Sequence, residues 1–259
     1  MNKYVKNLNR IEFVVTFACT GCCKHCSQGS HENQKEYIDA TKAASVVRDI
    51  ASKYPVNSVM SFGGEPLLFP ETVYAIHKAA LETGIPKRQL ITNGFFSKDS
   101  TKIKTVARNL AKCGINDICI SVDAFHQETI PLEPVKEFAA EIKALGIHIH
   151  SHPAWIASKE HDNPYNRRTT EILAEFQSIG ITPSDGNIII PHGNALKYLS
   201  SYYDLDKEYT SPYKENPEDI HAICISPDGS VDVLDGNINN SNILEILEKY
   251  TPPKSEPPA

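Results

Sequence analysis

Apolar, β-rich runs recur at residues 11–20, 58–62, 89–91, 117–122, 147–151 and 187–191, each bounded by turn residues. They predict six strands. Between them, apolar positions fall three and four apart: Ala43, Val46, Val47 and Ile50; Ile103, Val106, Ala107 and Leu110; Val135, Phe138, Ala139, Ile142 and Leu145. That spacing predicts helices with one buried face. Gly84, Gly114, Gly146 and Gly180 stand where such helices should stop, because a left-handed C-terminal cap has no room for a side chain. Alternating β and α units of about 30 residues imply a parallel sheet with right-handed crossovers, and the pattern alone leaves open whether it is flat or curled into a barrel.

After Pro191 the rhythm breaks. Residues 194–217 are polar and tyrosine-rich with one short helix expected, and 223–233 reads as two short strands around the turn Pro227-Asp228-Gly229. Residues 242–250 predict a last helix, and TPPKSEPPA is a proline-rich end with no means of packing. The expected division is a main α/β domain over 1–195, a small C-terminal appendage over 196–250 and a disordered tail over 251–259.

Composition narrows the function. With 259 residues and 41% hydrophobic content the chain can bury a large core. A net charge of -6 with scattered basic residues excludes a nucleic-acid surface, which needs clustered Lys and Arg to displace counterions. No apolar segment approaches the roughly 20 residues of a membrane span, and residues 1–10 lack the apolar centre of a secretory signal. A cytoplasmic protein with a small or peptidic substrate, and with neither nucleic acid nor membrane as partner, is expected. Seven cysteines, an odd number, then point to metal or catalytic chemistry rather than disulfides.

Four of those cysteines crowd into VVTFACTGCCKHCSQGSH, behind the first strand. Cys19, Cys23 and Cys26 form CxxxCxxC on the loop at the C-terminal edge of the predicted sheet, where sites of parallel β/α folds assemble. Three thiolates leave a tetrahedral structural site incomplete, whereas an iron-sulfur cluster held by three cysteines keeps one iron open. Zinc held by Cys19, Cys22, Cys23 and Cys26 as two abutting CxxC pairs is the alternative, although such sites normally separate the pairs by a dozen or more residues. That alternative corresponds to a zinc-stabilised, non-catalytic binding protein.

The second strand ends in Gly63-Gly64-Glu65-Pro66. CxxxCxxC after strand one with GGEP after strand two resembles the radical S-adenosylmethionine (radical SAM) superfamily, over about residues 11–193. The resemblance implies a partial (β/α)6 TIM-type barrel and two cofactors, one 4Fe-4S cluster and S-adenosyl-L-methionine (SAM). It places three irons on Cys19, Cys23 and Cys26, with SAM chelating the fourth. Gly63, Gly64 and Glu65 would receive the methionine amino group, and Asn93, Ser121 and Asp123 look like the polar set around ribose and carboxylate; without the cysteine motif, TNG and SVD are ordinary strand-end turns. His25 occupies the place of an adenine-contacting aromatic. The implied chemistry is reductive cleavage of SAM by an external flavodoxin- or ferredoxin-type donor, then hydrogen abstraction from a peptide or small-molecule substrate. Epimerisation, crosslinking, rearrangement and oxidation all begin this way.

Other positions carry weaker signals. Cys22 is expected to be a spectator and Cys113 core. His148, His150 and His152 alternate on strand five and share its inward face; polar lining is expected over a metal site, since sequence offers them no nearby carboxylate. His126 and His152 are placed to meet substrate. HAICISPDGSVDVLDGNI resembles the start of the SPASM-type extension of peptide-modifying members, but with Cys224 its only cysteine it is expected to hold no auxiliary cluster. The short stretch ahead of strand one is expected to leave no room for a leader-peptide-binding domain. Two roles are open to Cys224: a hydrogen donor to a substrate radical, if the appendage folds back over the barrel mouth, or a small buried side chain.

Overall fold

Strand and helix alternate as the periodicity predicts. The computed structural model describes residues 2–29, 31, 34–209 and 214–253. In chain order the elements are β1 (Arg10–Thr16), α1 (Ala40–Ala51), β2 (Ser58–Gly63), α2 (Pro70–Glu82), β3 (Lys87–Thr92), α3 (Ser100–Lys112), β4 (Asp117–Ile120), the single turn α4 (Ala124–Gln127), α5 (Leu132–Ala144) and β5 (His148–Ser151). There follow β6 (Ala154–Trp155), α6 (Pro164–Ser178), β7 (Asn187–Ile188), α7 (Asn194–Tyr198), β8 (Ala222–Ile225) and α8 (Ile243–Lys249). Gly84, Gly114, Gly146 and Gly180 close their helices with φ of +77°, +88°, +75° and +75°. Asp39 and Asp99 open α1 and α3, each side chain accepting from a backbone N–H of the first turn.

Six parallel strands form one sheet in the order β5-β4-β3-β2-β1-β8, the sheet of a partial TIM-type barrel. Alternation sends Ile11, Phe13 and Val15 of β1, Val59 of β2, Leu90 of β3 and Ile118 of β4 into one core with the apolar sides of α1, α2, α3 and α5. Behind β2, Ser61 Oγ lies 2.8 Å from Nε2 of the fully buried His77 on α2. The opposite, inner face of the sheet is polar, with Arg10, Glu12, Gln89, Asp117 and His150 in contact along it.

The sixth strand is not the one expected. Residues 187–191 contribute only β7, both residues exposed, which pairs with β6 in a separate two-stranded sheet. The sixth place belongs to β8, from the stretch assigned to the appendage. It lies parallel to β1, with Ala222 opposite Arg10 and Cys224 opposite Glu12, and sends Ile223 and Ile225 into the main core. Burial decides this, because Ile223 and Ile225 bring two branched side chains to the core, each worth about 1.5 to 3 kcal/mol, and exposed β7 brings none. The appendage therefore does not fold over the barrel mouth at Cys224 but extends the sheet. The Pro227-Asp228-Gly229 turn forms as expected, with Ser226 N donating to Ser230 O at 2.9 Å. At the far end, Asn2 Nδ2 donates to Leu247 O at 3.0 Å and Tyr250 O at 2.7 Å, tying the first residues to α8. Of the predicted disordered tail, 254–259 lies outside the described residues.

Candidate active site

Strand β1 stops at Thr16, short of the expected residue 20, because the Thr16 hydroxyl donates to Glu36 O at 2.6 Å and accepts from Ala18 N at 3.0 Å. The chain turns there, and Cys19, Cys23 and Cys26 stand on the loop beyond. All three line one pocket of about 270 Å³, whose facing wall comes from the ends of β2, β3 and β4 through Gly63, Gly64, Asn93 and Ser121. Cys22 points elsewhere; it is exposed and its N–H donates to Thr129 Oγ1 at 3.0 Å. Three thiols of the loop, not four, therefore converge.

The two glycines serve the loop itself. A Cβ on Gly64 would lie 2.2 Å from Ala18 O, and one on Gly63, with φ of +139°, would lie 2.4 Å from Thr16 O. Their absence lets Gly64 N donate to Thr16 O at 2.7 Å and Glu65 N to Ala18 O at 2.8 Å, fastening the cysteine loop to the end of β2.

Glu65 lies beneath the pocket rather than on its wall. Its carboxylate is fully buried and accepts from Leu67 N at 2.9 Å, Thr92 Oγ1 at 2.7 Å and Asn93 N at 2.9 Å. Burial pushes its carboxyl up to about 7 against those hydrogen bonds. Asp123 is likewise fully buried. Its Oδ1 accepts from Phe125 N at 2.9 Å and His126 N at 3.0 Å, and its Oδ2 meets His126 Nδ1 at 2.9 Å and Ala154 N at 3.1 Å. Burial favours its neutral form, but the neighbouring His126 wins and holds the carboxyl well below the usual range. Asp123 thus orients His126, whose ring does line the pocket. His25 lies between them, its ring centroid 5.0 Å from Phe125 and 4.8 Å from His126; burial lowers it to about 4, and its Nδ1 has no partner.

Asn93 and Ser121 are on the wall as expected. Asn93 Nδ2 donates to Thr20 Oγ1 at 3.2 Å and approaches Cys19 Sγ at 3.5 Å, whereas no protein hydrogen bond engages the Ser121 hydroxyl among the described residues. His152 is not on the wall; its Nδ1 meets Ser184 Oγ at 2.9 Å. Two participants were missed. Thr92 bridges to Glu65, and its place beside Asn93 in TNG was the available signal. His31 Nε2 lies 3.2 Å from Cys26 Sγ while Nδ1 donates to Phe17 O at 2.7 Å, and no sequence pattern marked it. Burial pushes the Cys19 thiol up to about 11 and that of Cys23 higher; at Cys26 burial acts the same way, but the His31 contact and hydrogen bonds from the backbone at Gln28 and Gly29 together outweigh it and lower the thiol.

Three convergent soft donors with a fourth loop thiol turned away suit a cluster with one iron free of protein, and the adjoining pocket offers that iron a second ligand's space. Cys23, His25 and His126 also bring potential ligand atoms within 4.8 Å of one another, inside the same pocket. The class defined by fold and site is a partial-barrel protein with a three-thiol metal loop facing a cofactor pocket. Residues 13–205 match the model of the Radical SAM superfamily, and the chain belongs to that family of enzymes, whose implied cofactors are SAM and a 4Fe-4S cluster.

The GTP 3',8-cyclase of Desulforamulus reducens is 26% identical over 131 residues, 50% of this chain and 38% of that protein. A probable GTP 3',8-cyclase of Saccharolobus solfataricus is 27% identical over 129 residues, 50% of this chain and 39% of its own length. The chain thus matches well under half the length of these relatives. Among solved structures, Streptococcus suis SuiB bound to S-adenosylmethionine superposes with a TM-score of 0.62 at 13% identity, covering 94% of this chain and 66% of that one. BtrN in complex with AdoMet and 2-DOIA gives a TM-score of 0.53 at 16% identity, covering 93% and 82%. Among the described residues, no helix is long and apolar enough to cross a membrane.

Proposed function

We propose that this chain cleaves SAM reductively and uses the outcome to take a hydrogen atom from a polar substrate, peptide or small molecule, with its electron from an external flavodoxin- or ferredoxin-type donor. The observation that carries this is the convergence of Cys19, Cys23 and Cys26 on a pocket walled by three strand ends. Bound together, the two cofactors supply one-electron cleavage of SAM and a carbon-centred radical. The chain supplies the rest. Cys19, Cys23 and Cys26 would hold three irons, and the Gly63-Gly64 backbone, Asn93 and Ser121 would orient SAM from the pocket wall. Glu65 and Asp123 act as positioning residues, the first locking β2 to β3 and the second aiming His126.

The substrate side is a cavity of about 770 Å³ on the inner face of β1 and β8, which shares Phe62 with the cofactor pocket. Arg10, Glu12, Lys214 and Asp232 line it beside Phe62 and Ile223, so it suits a substrate with charged, hydrogen-bonding groups on a partly apolar body. Cys224 faces the same cavity, and burial, with Glu12 and Asp232 nearby, pushes its thiol up to about 12. The thiol reaches the cavity from within the sheet and not from over the mouth, so the hydrogen-donor role rests on its facing this cavity. The match of residues 13–205 to the Radical SAM superfamily supports the SAM-cleaving step.

Anaerobic reconstitution followed by dithionite reduction tests the proposal. About four irons per chain and slow release of 5'-deoxyadenosine from SAM without substrate are expected, with iron lost in Cys19→Ala, Cys23→Ala and Cys26→Ala and kept in Cys22→Ala. Zinc in place of iron and sulfide would overturn it in favour of the non-catalytic reading.

A further inference from the structure

A second cluster of ligating side chains lies away from the cysteine loop, at the start of β4 and β5. The parallel register sets Asp117 beside His148 and Cys119 beside His150. One carboxylate oxygen, Asp117 Oδ2, is engaged: Gln89 Nε2 donates to it at 2.8 Å and Lys87 Nζ stands 3.7 Å away. The other, Oδ1, faces two imidazoles, His148 Nδ1 at 2.8 Å and His150 Nδ1 at 3.5 Å, and the ligating atoms all fall within 4.8 Å of one another. Ligands sharing one zinc ion at about 2.1 Å stand roughly 3 to 3.5 Å apart, and the two contacts to Oδ1 lie close to that spacing.

His150 gives an independent sign. Its Nδ1 is buried without a hydrogen-bond partner, while Nε2 lies 3.2 Å from Cys119 Sγ. Nε2 can accept from the Cys119 S–H or donate to its sulfur. In the second tautomer Nδ1 turns a lone pair toward the Asp117 carboxylate, an arrangement that a cation bridging Nδ1 and Oδ1 stabilises. A contact such as that with Cys119 is the kind that orients metal-bound histidines.

We propose that Asp117, His148 and His150 form a mononuclear site for a divalent transition-metal ion, zinc by its fit to two imidazoles and a carboxylate. His148 is 69% exposed at its side chain, so the site opens to solvent and keeps a position for water. It shares no residue with the cysteine loop and stands independently of SAM cleavage.

The test uses the reconstituted holoprotein, its cysteine loop filled by the cluster, titrated anaerobically with zinc sulfate. One zinc per chain is expected by calorimetry. Zinc K-edge absorption should show nitrogen and oxygen at about 2.0 to 2.1 Å, imidazole scattering, and no sulfur at about 2.3 Å. Asp117→Asn and His150→Gln should each weaken binding at least about 10-fold, with iron content as the check that the variants fold. His148→Gln, a change at an exposed side chain that leaves the core untouched, should weaken it as well. No zinc uptake, a sulfur shell marking the cysteine loop, or unchanged affinity in His148→Gln would each overturn the site, whether or not SAM is cleaved.

Discussion

At the scale of the residue, a side chain's place in a motif and its role in the folded site part company at Glu65. Its carboxylate is spent on Leu67, Thr92 and Asn93, so Glu65→Ala should strip partners from the buried Thr92 hydroxyl and Asn93 N–H and cost at least about 2 kcal/mol of stability in denaturant melts. Ser121 is the opposite case, a wall hydroxyl without a protein partner among the described residues. Ser121→Ala should leave the melt unchanged and weaken SAM about 5-fold by calorimetry, the worth of one hydrogen bond of about 1 kcal/mol. Cys224→Ala should keep 5'-deoxyadenosine formation, while deuterium from solvent no longer enters the product; normal turnover would return Cys224 to a packing role. The cysteine spacing was legible because the three thiols proposed as ligands lie on one short loop. The carboxylate for His148 and His150 was not, because Asp117 reaches them across a strand register rather than along the chain.

At the scale of the element, β2 and α2 are joined by a buried polar contact, His77 against Ser61. Burial, reinforced by Arg88, holds the imidazole down to about 3, far below its ordinary value near 6.5. Because the folded pKa is depressed, the unfolded chain takes up the proton first as pH falls. The contribution of His77 is therefore complete above about pH 6.5 and declines below it, by about 1.4 kcal/mol per pH unit until the folded value is reached. Urea melts at pH 7.5 and 5.5 should show wild type losing about 1.4 kcal/mol more than His77→Gln, whose side chain does not titrate. Helix stops were readable from glycine because each needs a positive φ. Strand membership was harder: residues 187–191 and 222–225 are both short and apolar, and only the place each finds against β1 or β6 separates them.

At the scale of the whole molecule, the division at residue 195 cuts through the sheet. Ile223 and Ile225 of β8 and Ile243, Ile246 and Leu247 of α8 all enter the core that Phe13 and Val15 occupy. A chain ending at 195 should therefore aggregate, while one ending at 253 should elute as a folded species in size-exclusion chromatography; a soluble, cooperatively melting 1–195 would contradict this. Strand β1 is flanked by β2 on one side and by β8, roughly two hundred residues further along, on the other. During synthesis on the ribosome, one edge of β1 consequently stays bare until β8 has left the exit tunnel, with a row of unpaired backbone groups open to other nascent chains. The cysteine loop hangs from that same unfinished strand. A ribosome-stalled chain ending before residue 222 should therefore bind chaperones and take up less iron in anaerobic reconstitution than the released chain, in which β8 covers that edge.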